Sequence, residues 1–395
     1  VKLAEAYREA KRPWPLQDNE TPTEAAGRLA ERFADRAAVQ DRQAAFARDN
    51  FEEIAQARLA ALAVPRLLGG GGAGLGEARC VIGRLAEGDP STALILAMQF
   101  VHHVGIALSP SWPRHLARRV QTGAVERGEL INILRVEPEL GSPARGGLPA
   151  TTARRTDTGW VIEGRKIYST GSTGLTFALV WAKTDDEQPS VGLLLVPMDA
   201  DGVRIEETWD AAGMRGTASH DVIFEGVVVP ADHAVDLRPP SGWSSGDPLH
   251  TAWNTTLISA VYDGVARSAQ AWLLSFLRDR VPSNLGTSLA QLPRLQEIAG
   301  ENERLLFVNE TLLNAAAAAV DAGTPNTAAR SGLVKTSVTE NAIAIVQRAV
   351  EASGNHGLSR ANPLERHLRD VLCARIHTPQ GDSVRLAAGR LALGV

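Results

Sequence analysis

Four short segments carry residue types from which a binding site can be built. Val136-Glu-Pro-Glu-Leu-Gly-Ser places Glu137, Gly141 and Ser142 just after an apolar run. Gly164-Arg-Lys-Ile-Tyr-Ser-Thr-Gly-Ser ends another run, and its Tyr168, Ser169, Thr170 and Gly171 offer hydroxyls and backbone donors of the kind that hold a planar heterocycle. The third segment, Gly213-Met-Arg-Gly-Thr-Ala-Ser-His-Asp, feeds a strand, and the fourth contains Gly354, Asn355, His356 and Gly357. Taken singly, each also has the composition of a turn or a polar sheet edge. Of nine histidines, His102 and His103 are adjacent in an apolar helical stretch, and His377 lies near the C-terminus. An isolated histidine is structural by default. It becomes chemical where one proton must move near neutral pH.

The elements that must position these residues are legible from hydrophobic periodicity. From Thr21 to Gly128 apolar residues return every three or four positions, as in a helix. The run Gly69 to Gly74 formally fits a dinucleotide loop, but it follows helical texture rather than a strand and reads as a helix connection. Between Ile131 and Pro230 the texture changes to short β-branched runs bounded by Gly, Pro and Asp. After the aperiodic stretch from Arg238 to Pro248, long helical periods return, including Gly332 to Ala352 with Val338, Ala342, Ile345, Val346, Ala349 and Val350 on one side. Helices, then an antiparallel β-sandwich or barrel, then a helical bundle argue against a parallel doubly wound sheet. The expected domains are an all-α unit over 1–130, a β unit over 131–236 and a helical bundle over 237–395, an α+β multidomain chain.

Composition narrows the partners. A net charge of -4 gives no global basic field for nucleic acid or an anionic membrane, which leaves small molecules and other proteins. Two cysteines, Cys80 and Cys373, form neither a disulfide scaffold nor a zinc motif, so a reducing compartment is expected and no metal site. The apolar runs fall short of the roughly 20 residues of a membrane span, and the charged first residues do not read as a secretory signal. A cytoplasmic location is expected.

In this order and at these separations, the four segments resemble the acyl-CoA dehydrogenase superfamily over nearly the whole chain. The Glu-Pro-x-x-Gly-Ser segment is similar to the family's first signature, Lys166 to Gly171 to its flavin strand, Gly213-Met-Arg with Phe224-Glu to its third β-domain motif, and residues 351–370 to its second signature. The resemblance implies an N-terminal α domain, a central β domain and a C-terminal four-helix bundle, with flavin (FAD or FMN) between the last two. It also implies a homo-oligomer, tetramer or dimer, whose neighbouring subunit completes the flavin site. The flavin contacts it implies are Glu137, Gly141, Ser142, Tyr168, Ser169, Thr170, Gly171, Arg280, Gly354, Asn355, His356, Gly357, Thr378 and Gln380. Arg366 and Asp370 are implied as structural supports, and His220 is expected at the surface or a β-edge.

A dehydrogenase of this family needs a carboxylate base to take the proton α to a thioester. In typical members it lies eight positions after the Asp of Arg-Asp, with an Arg twelve further on. Eight from Asp370 is Thr378 and twelve more is Arg390, so the spacing is kept and the glutamate is gone. The alternative place, ten positions before Gly264, holds Asn254. Beside Thr378 stands His377, where the resemblance to the family's two-component monooxygenases implies a catalytic histidine, as it does for one of His102 and His103. The sequence therefore supports a monooxygenase supplied with reduced flavin by a separate reductase. A dehydrogenase with a displaced base, Glu139 or Asp382, and a catalytically silent flavin-binding scaffold remain the alternatives.

Overall fold

The computed structural model describes residues 20–140, 147–243 and 247–395. Five helices come first: α1 (Pro22–Gln43), α2 (Arg48–Gln56), α3 (Leu75–Gly88), α4 (Pro90–Leu108) and α5 (Arg114–Arg127). Their starts follow capping chemistry. Thr21 and Glu24 close a reciprocal box on α1, and Asp89 accepts from the Ser91 and Thr92 amides ahead of Pro90 in α4. The glycine run joins α2 to α3, and the exposed amides of Leu75 and Gly76 are taken by Asp321 from the bundle. Helix α4 is apolar nearly all round. The expectation that every apolar run falls short of spanning length does not hold for α4, the one described helix long and apolar enough to cross a membrane, and 78% of its most apolar window is buried inside the fold.

The middle of the chain forms β1 (Ile131–Leu134), β2 (Thr152–Arg155), β3 (Gly159–Lys166), β4 (Phe177–Thr184), β5 (Val191–Pro197), β6 (Val203–Glu206), β7 (Asp221–Pro230) and β8 (Ala234–Arg238). They make one sheet in the order β6-β7-β3-β2-β4-β5-β8, with β1 beside β4. Most neighbours are antiparallel, as expected, but β1 and β2 each run parallel to β4. The parallel pairings arise because the chain leaves β3 at Lys166 and crosses over through residues 167–176 before entering β4. That crossover carries Tyr168 to Gly171.

The remaining helices are α6 (Pro248–Asp279), α7 (Pro293–Asp321), α8 (Ala328–Ser353), α9 (Asn355–Leu358), α10 (Leu364–Leu372) and α11 (Gly381–Leu393). Helices α6, α7, α8 and α11 make the bundle, with α10 packed on α6 and α8. Val338, Ala342, Ile345, Val346 and Ala349 are buried on one face of α8, as the period requires. Helix α6 also packs against α3 and α4, so one apolar core runs from Leu29 and Ile82 through Val180 and Phe224 to Val261 and Val346.

The sheet is pinned from within by a buried ion pair. Lys166, the last residue of β3, has no exposed surface and lies 2.5 Å from Glu137, while also donating to the Trp181 carbonyl on β4. The Glu137 carboxylate accepts in addition from the amides of Ala150 (2.6 Å) and Thr151 (3.1 Å). Removing one member of such a pair leaves an unpaired buried charge, which costs about 3–5 kcal/mol, whereas removing both is far milder. Lys166→Met is therefore expected to lower the unfolding free energy by that amount in denaturant titration, and Lys166→Met with Glu137→Gln to recover most of it. A loss below about 1 kcal/mol for the single variant would contradict this role.

Candidate active site

Two loops zip together beside α4. In the first, Tyr168 adopts φ 54° and Gly171 φ 77°; in the second, Met214 and Ala218 adopt φ 53° and 42°. Left-handed backbone is strained for side chains other than glycine and persists only where surroundings dictate it. Here the surroundings are reciprocal bonds: Ser169 N to the His220 carbonyl, Gly171 N to the Thr217 carbonyl, and the Ser172 hydroxyl to the Ala218 carbonyl. The second loop is anchored on α10, where Asp370 Oδ1 accepts from Met214 N at 2.6 Å. That approach requires Gly213, since a Cβ there would lie 2.3 Å from the Arg369 carbonyl oxygen. Burial raises the Asp370 carboxyl to about 7, the Met214 amide and Arg366 opposing.

From this anchor a polar chain runs to His102. Thr217 bonds the Met214 carbonyl and Ser219, Ser219 donates to Thr170 Oγ1 at 3.2 Å, and Asn132 Nδ2 donates to the Thr170 carbonyl at 3.0 Å. Asn132 Oδ1 lies 2.9 Å from His102 Nε2. Since the amide nitrogen of Asn132 is committed to Thr170, its oxygen faces the imidazole, and the 2.9 Å contact places the His102 proton on Nε2; the Ile133 amide, which bonds Asn132 Oδ1 at 2.8 Å, reaches the same ring nitrogen only as the longer arm of a shared bond, at 3.3 Å. The Nδ1 lone pair is left to accept a proton. Burial, with His250 and Arg135 nearby, lowers His102 to about 3, so the ring is neutral at pH 7.

His103 points elsewhere. Its ring is fully buried, and Nε2 is 2.8 Å from the Gln99 amide nitrogen, which also donates to the Glu129 carbonyl. It is a core residue, so of the adjacent pair only His102 joins the Asn132–Thr170 chain.

The other expected site residues divide among several places. Glu137 is not available to a ligand, because its carboxylate is saturated by Lys166 and two amides. Ser169, Thr170 and Gly171 line the His102 site, with Tyr168 exposed at its rim and edge-on to Trp209. Arg280 is exposed at the end of α6, thirty positions and about 45 Å from His250 at its start. At that far end His356 packs on Phe276, and Gly354, Asn355 and His356 are exposed while Gly357 is buried against α8. Within one chain this second group does not meet the first. Thr378 is exposed and Gln380 half-buried beyond α10. Gly141 and Ser142 lie outside the described residues. His220, expected at the surface or a β-edge, sits just before β7 and is only 8% exposed, and its Nδ1 accepts from the Trp209 amide.

His377 is not joined to His102 by any described contact. Its Nδ1 is 3.1 Å from the hydroxyl of the fully buried Tyr262 on α6, and burial beside Lys335 lowers it to about 4. Lys335 holds this loop by donating to the carbonyls of Ala374, His377 and Pro379 at 2.8–3.1 Å. Tyr262 is twelve positions along α6 from His250, about 18 Å. The candidate replacement bases, Glu139 and Asp382, are both exposed. Sequence reading missed Asn132, Ser219, Lys335 and Tyr262. A polar residue inside Ile-Asn-Ile-Leu and a lysine inside the apolar face of α8 were the available signals. A cleft of about 630 Å³ between α1, α3 and α10 contains none of these candidates.

The cradle suits a flavin ring: the Ser169 hydroxyl is buried without a partner, and backbone and hydroxyl groups of 169–171 border the neutral His102. Comparison with known proteins agrees. Residues 18–108, 134–227 and 256–380 match the N-terminal, middle and C-terminal domains of acyl-CoA dehydrogenases. YdbM of Bacillus subtilis (strain 168), named for those dehydrogenases, is 34% identical over 92% of this chain and 94% of its own. The chain belongs to the acyl-CoA dehydrogenase superfamily. Another relative, L-evernosamine nitrososynthase of Micromonospora sp., is 28% identical over 97% of this chain and 94% of its own. TdsC from Paenibacillus sp. A11-2, solved with FMN and indole, shares the fold with a TM-score of 0.82 at 23% identity, covering 95% of this chain and 97% of that one. The chain is thus a flavin-dependent oxidoreductase of this superfamily. Its Glu365–Arg369 pair and the Asp370 anchor are structural features of α10, with Arg369 also clamped on Asp41 of α1.

Buried neutral histidines make this fold acid-sensitive. His102, His103 and His367 are each lowered by burial to about 3. A depressed folded value means the unfolded chain takes up more protons below about pH 6.5, so this stabilisation is present above that pH and lost as pH falls. Asp370, raised to about 7, acts oppositely and loses its contribution as pH rises through 7. The three imidazoles outweigh it, at roughly 2 kcal/mol each between pH 6.5 and 5. The unfolding midpoint should fall clearly from pH 7 to pH 5; a flat or rising profile would contradict the neutral assignment.

Proposed function

We propose that this member of the superfamily is a reduced-flavin-dependent monooxygenase acting on a small organic substrate. The observation that carries the reading is the pairing of a neutral, oriented His102 with a cradle that no described carboxylate enters. Proton abstraction α to a thioester needs a carboxylate; handling one proton at the flavin edge needs an imidazole. The flavin, FMN or FAD, is delivered reduced by a separate reductase and supplies the electrons that split dioxygen. His102 Nδ1 takes or returns the proton, Asn132 holds the ring's tautomer, and Ser169 to Gly171 with Ser219 orient the heterocycle. His377 is a second proton-handling candidate, positioned by Tyr262 and Lys335. The exposed Arg280 and Gly354 to His356 act from a neighbouring subunit, and exposed Ile376, Leu386, Leu391 and Leu393 supply apolar surface for a dimer or tetramer. A cytoplasmic location follows from the free cysteines and the buried α4.

The kinship with YdbM favours a second reading, a dehydrogenase whose base is contributed otherwise. The two differ in what reduced flavin does with oxygen on the protein. Mixing the reduced FMN complex with dioxygen is expected to consume oxygen well before hydrogen peroxide is released, and His102→Ala to shorten that lag about 100-fold. Peroxide released by the wild type as fast as from free reduced FMN would overturn the monooxygenase reading.

A further inference from the structure

Arg135, which follows β1 immediately, is a cation without an answering charge among the described residues. Its Nε is buried and has no hydrogen-bond partner among the described residues, and no described carboxylate forms an ion pair with it. The undescribed stretches nearest in sequence, Gly141 to Gly146 and Ser244 to Gly246, contain no acidic residue. The guanidinium lies over the Trp181 ring at 4.5 Å from its centroid, and Trp181 in turn meets Trp243 edge-on at 4.5 Å. Burial lowers its affinity for its proton, yet an arginine stays charged in a protein. A partly buried guanidinium left unpaired is costly, and planar oxyanions are its natural complement, two donors meeting two oxygens.

Its position relates it to the reaction. Arg135 lies three residues beyond Asn132, whose Oδ1 holds the His102 ring, and its charge is also felt by His102 and by His250 at the first turn of α6, so it stands beside the site where the proton is handled. Lys166 also feels it but is already paired with Glu137. The charges around this mouth are Arg135, the neutral His102, His250 and Asp247, which caps α6 and accepts from Leu249 N. A flavin phosphate is separated from its ring by the ribityl chain and so is held away from the reacting edge. A group on the substrate is not.

We propose that Arg135, backed by Trp181, is a specificity-determining anchor for a carboxylate or comparable planar oxyanion on an aromatic substrate. This rests on the monooxygenase reading only for the identity of the site. Binding can be measured without turnover, so its failure and the failure of that reading are separate results.

The test compares benzoate with benzamide, which match in shape and differ in charge, on the oxidised FMN complex of the full chain. Binding is followed by calorimetry and by perturbation of the flavin spectrum. The wild type is expected to prefer benzoate at least tenfold. Arg135→Met should abolish that preference and Arg135→Lys retain part of it, with FMN affinity within twofold in both. Equal affinity for the two probes in the wild type, binding of neither, or a preference that survives in Arg135→Met would overturn the proposal. So would a tenfold loss of FMN affinity in Arg135→Met with the benzoate preference intact, because Arg135 would then hold the flavin phosphate.

Discussion

The ion pair between Lys166 and Glu137 is the constraint on which the site depends. The segments that build the His102 site leave the sheet from two strands: Asn132 from β1, and Tyr168 to Gly171 from the end of β3. Those strands are not hydrogen-bonded neighbours in the sheet. Lys166 ties them by holding Glu137, just past β1, and the backbone of β4 at Trp181. The pair is buried and desolvated, so its worth as net stability is small. Its worth as a register is large, because neither charge tolerates another partner. Glu137 thus fixes the His102 site through Lys166 and the sheet.

A second tie crosses the regions of the chain. The route from Asp370 through Met214, Thr217, Ser219, Thr170 and Asn132 to His102 joins α10, two loops of the sheet and α4 by hydrogen bonds. Its residues are buried, Thr170 only in part, and Met214 carries left-handed backbone, so the route is rigid at the cost of local strain. Its consequence is chemical. The commitment of Asn132 to Thr170 decides which nitrogen of His102 is protonated, a choice made some distance from the ring itself.

The fold was legible in the sequence because helix and strand periods differ and the four segments stand in a fixed order. The parallel placement of β1 and β2 beside β4 was not, since strand period says nothing of neighbours. At the site, residues were legible where they share a local segment, as Ser169 to Gly171 do. Partnerships formed across the fold were not: Glu137 was read as a flavin contact because its saturation depends on Lys166, Ala150 and Thr151. Adjacent His102 and His103 could not be separated until Gln99 and Asn132 were in place. That His377 is held by Tyr262 of α6 and Lys335 of α8 depends on contacts across the bundle that no motif encodes.

The superfamily name carries an expected carboxylate that this chain does not place in its cradle. The most direct measurement is anaerobic titration of the protein, loaded with oxidised FAD or FMN, with saturated acyl-CoA thioesters of graded chain length. The account predicts that the visible flavin absorbance persists with every thioester. Bleaching by any of them would show a functioning base and contradict the central claim that His102, rather than a carboxylate, governs this site.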